Sequence, residues 1–196
     1  MRFSHALTAA LALAAGTTSA SAASAPAAAV FAGGCFWCTE SDFDKMPGVL
    51  STTSGYIGGK LRNPTYKQVS AGGTGHIEGV RVVYDPARIS YATLAERFIR
   101  TIDPLDGGGS FCDRGYGYRS AFFVADAEQR RIVDAIKARA TAALKKPIST
   151  LVLPATTFYP AETYHQDYYK KNPVRYRFYR FNCGRDARLA QLWGSK

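Results

Sequence analysis

The stretch over residues 33–40 constrains the fold of this chain most, because it fixes where a reactive side chain must lie. It follows a short apolar run over 28–32, which predicts a buried strand. Two glycines then allow a sharp turn and the close approach of another group. Cys35 comes next, and the mixed sequence after it predicts a helix that ends before Pro47. Cys35 is therefore expected at a helix N-terminus, where the partial positive charge favours the nucleophilic thiolate.

Two aromatic side chains follow this cysteine directly. Phe36 and Trp37 would place large rings beside the sulfur, which suits a small and weakly polar substrate. Cys38 then completes a Cys-x-x-Cys pair, which is also found in structural disulfides, in half of a zinc site and in thiol-disulfide exchange. The spacing alone leaves these alternatives open.

The first residues have the pattern of a secretory signal peptide. Arg2 precedes an apolar run over 6–15 that is too short to cross a bilayer, and Ala20-Ser21-Ala22 resembles a cleavage site. We therefore expect an exported protein, periplasmic or secreted, without stable membrane insertion. The expected division is a signal peptide over 1–22, a linker over 23–28, and a single catalytic domain with a C-terminal tail over 29–196.

The composition of the chain predicts one soluble globular domain. The full sequence has 196 residues, of which 46% are hydrophobic and 20% charged, enough for one sizeable core. The formal charge of +10 comes from scattered basic residues with modest clusters over 175–180 and 185–188. This pattern favours a solvated basic surface over a nucleic-acid site.

Strand and helix patterns alternate along the chain. They predict an α/β (α+β) fold built as a two-layer sandwich with a mixed sheet. Ser90 and Asp126 are expected to cap two of the helices. Strands are predicted over 28–32, 49–56, 77–84, 118–124 and 150–153. Helices are predicted over 35–45, 65–71, 90–102, 126–144 and 161–171. An irregular loop is expected over 103–116 and an amphipathic turn over 187–193.

Four cysteines could form two disulfides in three possible pairings. Cys35, Cys38, Cys112 and Cys183 do not fall into two neighbouring pairs, so a four-cysteine zinc site is not expected.

Several short motifs follow one another in a fixed order over about residues 28 to 173. The first is Gly-Cys-Phe-Trp at 34–37 with Glu40 after it. The others are Asn63-Pro64-Thr65-Tyr66, Gly75-His76-Ile77-Glu78, Val83-Tyr84-Asp85-Pro86, Tyr118-Arg119-Ser120, His165-Gln166 and Asn172-Pro173. Together they resemble the peptide methionine sulfoxide reductase A family. The resemblance implies a fold related to ferredoxin-like arrangements.

The resemblance also implies a reaction, the reduction of the S epimer of methionine sulfoxide, free or in peptides and proteins, as a repair of oxidised proteins. Cys35 matches the nucleophile, which would become a sulfenic acid that a second thiol resolves as a disulfide. Phe36 and Trp37 match the rings that cradle the substrate methyl group. Glu78 matches the catalytic acid; because it interrupts an apolar strand, burial should raise its pKa. Without the resemblance, an exposed Glu78 on an alternating strand would be the favoured interpretation.

Other positions match the polar part of the family's site. Tyr66 and Tyr118 match the tyrosines whose hydroxyls help to hold the sulfoxide oxygen, and Asp113 matches the acidic residue in the loop before Tyr-Arg-Ser. Since the chain has 12 tyrosines, packing remains the alternative for any one of them. His165 matches the family's histidine, and we expect it to be a structural hydrogen-bonding residue without a catalytic role.

Two positions depart from the family pattern and leave the resolving thiol open. Cys38 stands where glycine is common, and Gly117 stands where glutamine is common, in a loop that also carries Cys112. Resolving cysteines of the family usually come from the C-terminal tail, so Cys183 is expected first. Cys38, which shares a helix face with Cys35, is expected second, and Cys112 third.

No bound metal or organic cofactor is implied. The expected partners are oxidised proteins or peptides and an external dithiol reductant of the thioredoxin type, and we expect a monomer. The alternatives are a general thiol-disulfide oxidoreductase that uses Cys35 and Cys38, and a non-enzymatic, basic, disulfide-bonded binding domain. Glu78, Tyr66 and Tyr118 distinguish them, because disulfide exchange needs no group that holds an oxygen.

Overall fold

The computed structural model describes residues 25–194. The expected signal peptide over 1–22 lies outside them, and the first strand begins at Ala27, inside the expected linker. Across the described range, no helix is both long enough and apolar enough to pass through a membrane.

Strands and helices alternate as the sequence pattern predicts. The strands are β1 (Ala27–Gly33), β2 (Val49–Ile57), β3 (Ile77–Tyr84), β4 (Gly109–Ser110), β5 (Asp113–Arg114), β6 (Ser120–Val124), β7 (Leu151–Pro154) and β8 (Tyr159–Pro160). The helices are α1 (Phe36–Phe43), α2 (Tyr66–Ser70), α3 (Tyr91–Ile99), α4 (Ala127–Leu144), α5 (Tyr168–Lys171), α6 (Pro173–Asn182) and α7 (Arg185–Trp193). Ser90 and Asp126 cap α3 and α4 as expected, each accepting a backbone N–H three residues on.

Six strands form one mixed sheet in the order β7-β6-β1-β3-β2-β8. Strands β6 and β7 run parallel, and the other neighbours are antiparallel. This confirms the predicted mixed α/β fold. The segment expected to be irregular contains a small hairpin, β4–β5, which places Cys112 in its two-residue tip.

The main core lies between the sheet and helices α1, α3 and α4. Phe31 on β1 is fully buried, with its ring centroid 4.9 Å from that of Phe43 and 5.1 Å from that of Phe98. Phe122 of β6 packs edge-on against Phe98 at 5.1 Å. Aromatic pairs at these spacings stabilise the fold beyond their burial alone, and here they fix α1 against β1.

The turn from β1 into α1 requires glycine. Gly34 has φ +82°, and a Cβ atom there would lie 2.5 Å from the Cβ of Ser110. Only a residue without a side chain fits both conditions. The chain then enters α1 with Cys35 as the N-cap, whose carbonyl accepts the N–H groups of Cys38 and Thr39 at 3.1 Å and 3.3 Å.

The C-terminal part differs from the sequence prediction. The helix expected over 161–171 is wrong for most of its length, because Asp167 adopts φ 54° and only α5 after it is helical. The Gln166 side chain instead accepts the N–H of Ser54 and donates to its carbonyl, both at 2.9 Å, which holds the segment on the edge of the sheet. Helix α6 was not predicted; it starts at Pro173, a residue suited to a first turn.

Helix α7 is attached to the body of the protein by Arg185, which is buried. Its guanidinium donates to the carbonyls of Gly33 at 3.1 Å and Thr101 at 2.7 Å and lies 3.4 Å from a carboxylate oxygen of Asp42. It also lies 4.5 Å from the ring centroid of Phe111. The C-terminal helices therefore attach directly behind the turn that begins α1.

Candidate active site

A small cavity of about 60 Å³ lies at the N-terminus of α1. Its lining residues are Cys35, Phe36, Trp37, Tyr66, Glu78, Asp113, Tyr118 and Tyr179. The structure thus brings together all seven residues to which the sequence assigned a catalytic or substrate-binding role, from five separate parts of the chain. Tyr179, on α6, is an addition that the sequence did not reveal.

Cys35 is a buried thiol in this state. Burial raises its pKa well above the ordinary value, and its hydrogen bond to Cys38 acts in the same direction. The N-terminus of α1 is where the sequence predicted it, but its favourable effect on the thiolate is outweighed by the loss of water.

Cys38 is the cysteine that carries the negative charge more readily. Its hydrogen bond from Cys35, together with the positive potential of Arg185 and Arg180, lowers the pKa of Cys38 to about 7, although burial opposes this. Both thiols are free and buried. A thiol that ionises near neutral pH therefore lies one helical turn from Cys35, in hydrogen-bond contact with it.

Glu78 points into the cavity from β3, with 3% of the residue exposed. The backbone N–H of Phe36 donates to its Oε2 at 3.0 Å. Burial raises the pKa of Glu78 to about 8, and the nearby charge of Asp113 adds to the effect. The carboxyl is therefore protonated at neutral pH and can donate to an oxygen in the cavity.

Tyr66 and Tyr118 share a hydrogen bond between their hydroxyls. Burial raises the pKa of both, so both are neutral donors. Tyr118 lies in a 3-10 turn before β6 and not in the strand expected over 118–124. Glu162 fixes the position of Tyr66, because its carboxylate accepts the backbone N–H of Tyr66 at 2.8 Å. The same carboxylate accepts the hydroxyl of Tyr56 at 2.8 Å.

The apolar wall of the cavity is held by His165. Its Nδ1 accepts the indole N–H of Trp37 at 3.0 Å, and burial lowers its pKa, which keeps the ring neutral. Its ring centroid is 4.9 Å from that of Phe36 and 4.5 Å from that of Tyr66. Tyr168 stacks on the indole at 3.7 Å. His165 thus positions the rings without facing a reacting atom, which agrees with the structural role expected of it.

Cys112 and Cys183 form a disulfide with a Cα–Cα distance of 4.8 Å. Cys112 is exposed at the hairpin tip, and Cys183 follows the last residue of α6. Of the three candidate resolving thiols, Cys38 is in contact with Cys35, while the other two are paired with each other. The ligand atoms of Cys112, Asp113 and Cys183 lie within 4.8 Å, but the disulfide removes two of them as metal ligands.

Residues 27–196 match the family model described as peptide methionine sulfoxide reductase. The chain belongs to the peptide methionine sulfoxide reductase family. MsrA 2 of Caulobacter vibrioides is 53% identical over 187 residues, which are 95% of this chain and 95% of that protein. MsrA of Bacillus licheniformis is 48% identical over 86% of this chain and 94% of its own length.

Solved structures of the family have the same fold. Mxr1 from Saccharomyces cerevisiae in reduced form has a TM-score of 0.72 at 30% identity, covering 76% of this chain and 87% of that chain. Methionine sulfoxide reductase A of Corynebacterium diphtheriae has a TM-score of 0.68 at 35% identity and covers 76% of each chain.

The chain is therefore a peptide-methionine (S)-S-oxide reductase of the MsrA type. It reduces methionine sulfoxide by thiolate attack, formation of a sulfenic acid and resolution as a disulfide, and so repairs oxidised proteins. This confirms the activity that the motifs implied and sets aside both the general disulfide exchanger and the non-enzymatic binding domain.

Proposed function

We propose that Cys35 attacks the sulfoxide sulfur and that Glu78 protonates its oxygen. The observation that supports this most is the hydrogen bond from the Phe36 N–H to Glu78, because it fixes the acid against the residue that follows the nucleophile. Tyr66 and Tyr118 supply further donors for the oxygen, and Trp37 forms the apolar wall for the methyl group.

The thiol of Cys35 passes its proton to the hydrogen-bonded thiolate of Cys38 as its sulfur attacks. Glu78 gives its proton to the sulfoxide oxygen, methionine leaves, and Cys35 becomes a sulfenic acid. The Cys38 thiol then attacks this sulfenic acid, and the oxygen leaves as water. The product is a Cys35–Cys38 disulfide, and Glu78 regains its proton from water.

Cys183 and Cys112 carry the oxidation to the surface. The Cys183 thiolate opens the Cys35–Cys38 disulfide, and the Cys112 thiolate then releases Cys183 from the mixed disulfide. The end state has a Cys112–Cys183 disulfide and two free thiols in the cavity, which is the arrangement in the structure. In this order Cys38 acts before Cys183, whereas the sequence alone favoured Cys183 first.

The reductant is an external dithiol protein of the thioredoxin type. Cys112 is exposed, so an incoming thiolate can reach the disulfide that it forms. The structure of reduced Mxr1 from Saccharomyces cerevisiae is 30% identical in sequence to this chain. Mxr1 has also been solved in complex with Trx2. Oxidised proteins and peptides are the substrates.

Disulfide mapping over one turnover tests this proposal. Fully reduced enzyme is mixed with one equivalent of an N-acetylmethionine S-sulfoxide, quenched with a thiol-alkylating reagent at increasing times, and analysed by mass spectrometry. We expect a Cys35–Cys38 link first and a Cys112–Cys183 link later; Cys112→Ser should retain a mixed disulfide that contains Cys183. A Cys35–Cys183 link that precedes any link to Cys38 would contradict the order.

We further propose that the chain is exported through residues 1–22 and acts as a monomer. Export is supported by Arg2, the apolar run over 6–15 and the small residues Ala20-Ser21-Ala22. Mass spectrometry of the protein recovered outside the cytoplasm should find Ala23 as the first residue. Recovery of the uncleaved chain in the cytoplasm alone, or a dimeric mass in sedimentation, would contradict these two points.

A further inference from the structure

Tyr179 occupies space and hydrogen-bonding groups that a substrate needs. Its hydroxyl donates to Oδ2 of Asp113 and is in hydrogen-bond contact with the Cys35 sulfur. Its ring packs edge-on against Trp37 with centroids 5.7 Å apart. The cavity that remains measures about 60 Å³, whereas pockets that enclose small ligands usually measure about 300 Å³ or more. Tyr179 therefore takes up room that a methionine sulfoxide side chain needs beside Cys35 and Trp37.

The Cys112–Cys183 disulfide holds Tyr179 next to Asp113. Tyr179 lies one helical turn before Cys183, and Asp113 follows Cys112 directly in the chain. The Cys112–Cys183 bond therefore ties the helix that carries Tyr179 to the hairpin that carries its hydrogen-bond acceptor. Reduction of this bond removes the covalent tie at the end of α6.

Besides Tyr179, helix α6 is held to its neighbours by Arg180, which pairs with Asp42 of α1 at 2.9 Å and with Asp186 of α7 at 2.6 Å. Tyr176 is its only buried residue, and its outer face is solvent-exposed, with Phe178 69% and Phe181 82% accessible. Gly184 separates it from α7, which Arg185 also anchors to the turn before α1. Segments with little buried surface open at low cost in free energy, so the part of α6 that carries Tyr179 can move once the disulfide is open and the contacts of Arg180 rearrange.

We propose that Tyr179 closes the catalytic cavity while the Cys112–Cys183 disulfide is intact, and that reduction of this disulfide lets Tyr179 withdraw and admits the sulfoxide. This inference rests on the proposed function. Closure is useful in this state, because Cys112 and Cys183 are already joined and cannot accept a second oxidation from the cavity. A closed cavity protects Cys35 in that interval from oxidation beyond the sulfenic acid.

The test compares first-turnover rates in two redox states. One sample is fully reduced; the other has Cys112–Cys183 intact with free Cys35 and Cys38, as verified by differential alkylation. Each is mixed with an N-acetylmethionine S-sulfoxide without reductant, and methionine is measured by rapid quench. If the open form is a minor state of about 1–10%, the disulfide-intact enzyme should be about 10- to 100-fold slower.

Variants test whether Tyr179 causes the difference between the two first-turnover rates. Tyr179→Ala with the disulfide intact should react nearly as fast as reduced wild type, whereas Phe178→Ala, a matched change on the outer face of α6, should remain slow. Cys183→Ser removes the tie without altering Tyr179. It should form its first methionine fast without any reductant, because Cys183 acts only after methionine has left, and it gives an independent answer if Tyr179→Ala is unstable.

Equal rates in the two states of the wild type would overturn the inference. A slow disulfide-intact Tyr179→Ala variant that is folded, or a slow Cys183→Ser variant, would also overturn it. Failure of the proposed function has a different signature, since fully reduced wild type would then form no methionine, or would form it without any transient loss of the Cys35 thiol.

Discussion

Replacement of Glu78 by glutamine separates the proton-donating role of this side chain from its structural role. The carboxyl is buried, accepts the Phe36 N–H at 3.0 Å, and has a pKa raised to about 8. Glutamine has nearly the same shape as the protonated carboxyl and keeps an acceptor for this N–H, but it cannot release a proton. We expect Glu78→Gln to lower kcat/KM by about 10²- to 10⁴-fold, or about 3–5 kcal/mol of transition-state stabilisation.

The same substitution has a defined effect on the pH dependence of stability. In the folded protein Glu78 titrates near pH 8, above its ordinary value of 4.5. Its contribution to stability is therefore full below about pH 4.5 and is lost as the pH rises through about 8, because the native state must then bury a charge. The shift corresponds to a loss on the order of 5 kcal/mol. Glu78→Gln should lack this loss and become more stable than wild type at alkaline pH.

Two assays check both effects. Turnover of a methionine S-sulfoxide dipeptide with dithiothreitol is measured from pH 5.5 to 9.5, and urea unfolding is measured over the same range. Wild-type kcat/KM should fall above about pH 8, while the exposed control Glu128→Gln should match wild type in both assays. A Glu78→Gln enzyme within twofold of wild-type kcat/KM, or one whose stability has the wild-type pH dependence, would refute the reasoning.

Three further predictions concern the second thiol, the buried arginine of α7 and the apolar wall of the cavity. Cys38→Ser should form methionine more slowly in the first turnover, because it lacks the thiolate that accepts the Cys35 proton, and should leave a Cys35 sulfenic acid that dimedone traps; failure to trap it would exclude Cys38 as the resolving thiol. Arg185→Met should lose roughly 3–5 kcal/mol of unfolding free energy, because the loss of the buried guanidinium leaves the carbonyls of Gly33 and Thr101 without their donor. The exposed control Arg131→Met should unfold like wild type in urea, and an equally stable Arg185 variant would contradict the prediction. The apolar wall of Phe36 and Trp37 should favour methyl sulfoxides such as dimethyl sulfoxide over insulin disulfides, and the reverse preference would contradict the assigned reaction.

Some of the site could be predicted from the sequence because the relevant interactions are local. The Gly33-Gly34 turn determines that Cys35 begins a helix. Glu78 interrupts an apolar strand, but the strand's alternation alone favours an exposed side chain, and the family resemblance was needed to predict its role. Ser90 and Asp126 satisfy helix ends three residues away, so they are visible as caps. These features depend on neighbours within one turn or one strand.

The parts that the sequence did not reveal depend on contacts across the chain. Tyr179 meets Asp113 from 66 residues away, and Cys112 is joined to Cys183 across a separation of 71 residues. Nothing within the α6 segment distinguishes this tyrosine from the other ring-bearing positions around it. Gln166 likewise ends a helical pattern by bonding a distant strand, which local propensity cannot show.

The role of Cys35 as the nucleophile is tested most directly by a single-turnover experiment with separated epimers. Fully reduced enzyme is mixed with the S or the R form of N-acetylmethionine sulfoxide, without added reductant, and methionine and free Cys35 thiol are measured in the same samples. We expect a burst of one methionine per enzyme from the S epimer with a transient loss of the Cys35 thiol, which returns as the Cys112–Cys183 disulfide forms; we expect none from the R epimer, and none from a folded Cys35→Ser variant. Methionine formation by Cys35→Ser, or equal bursts from the two epimers, would contradict the proposed mechanism.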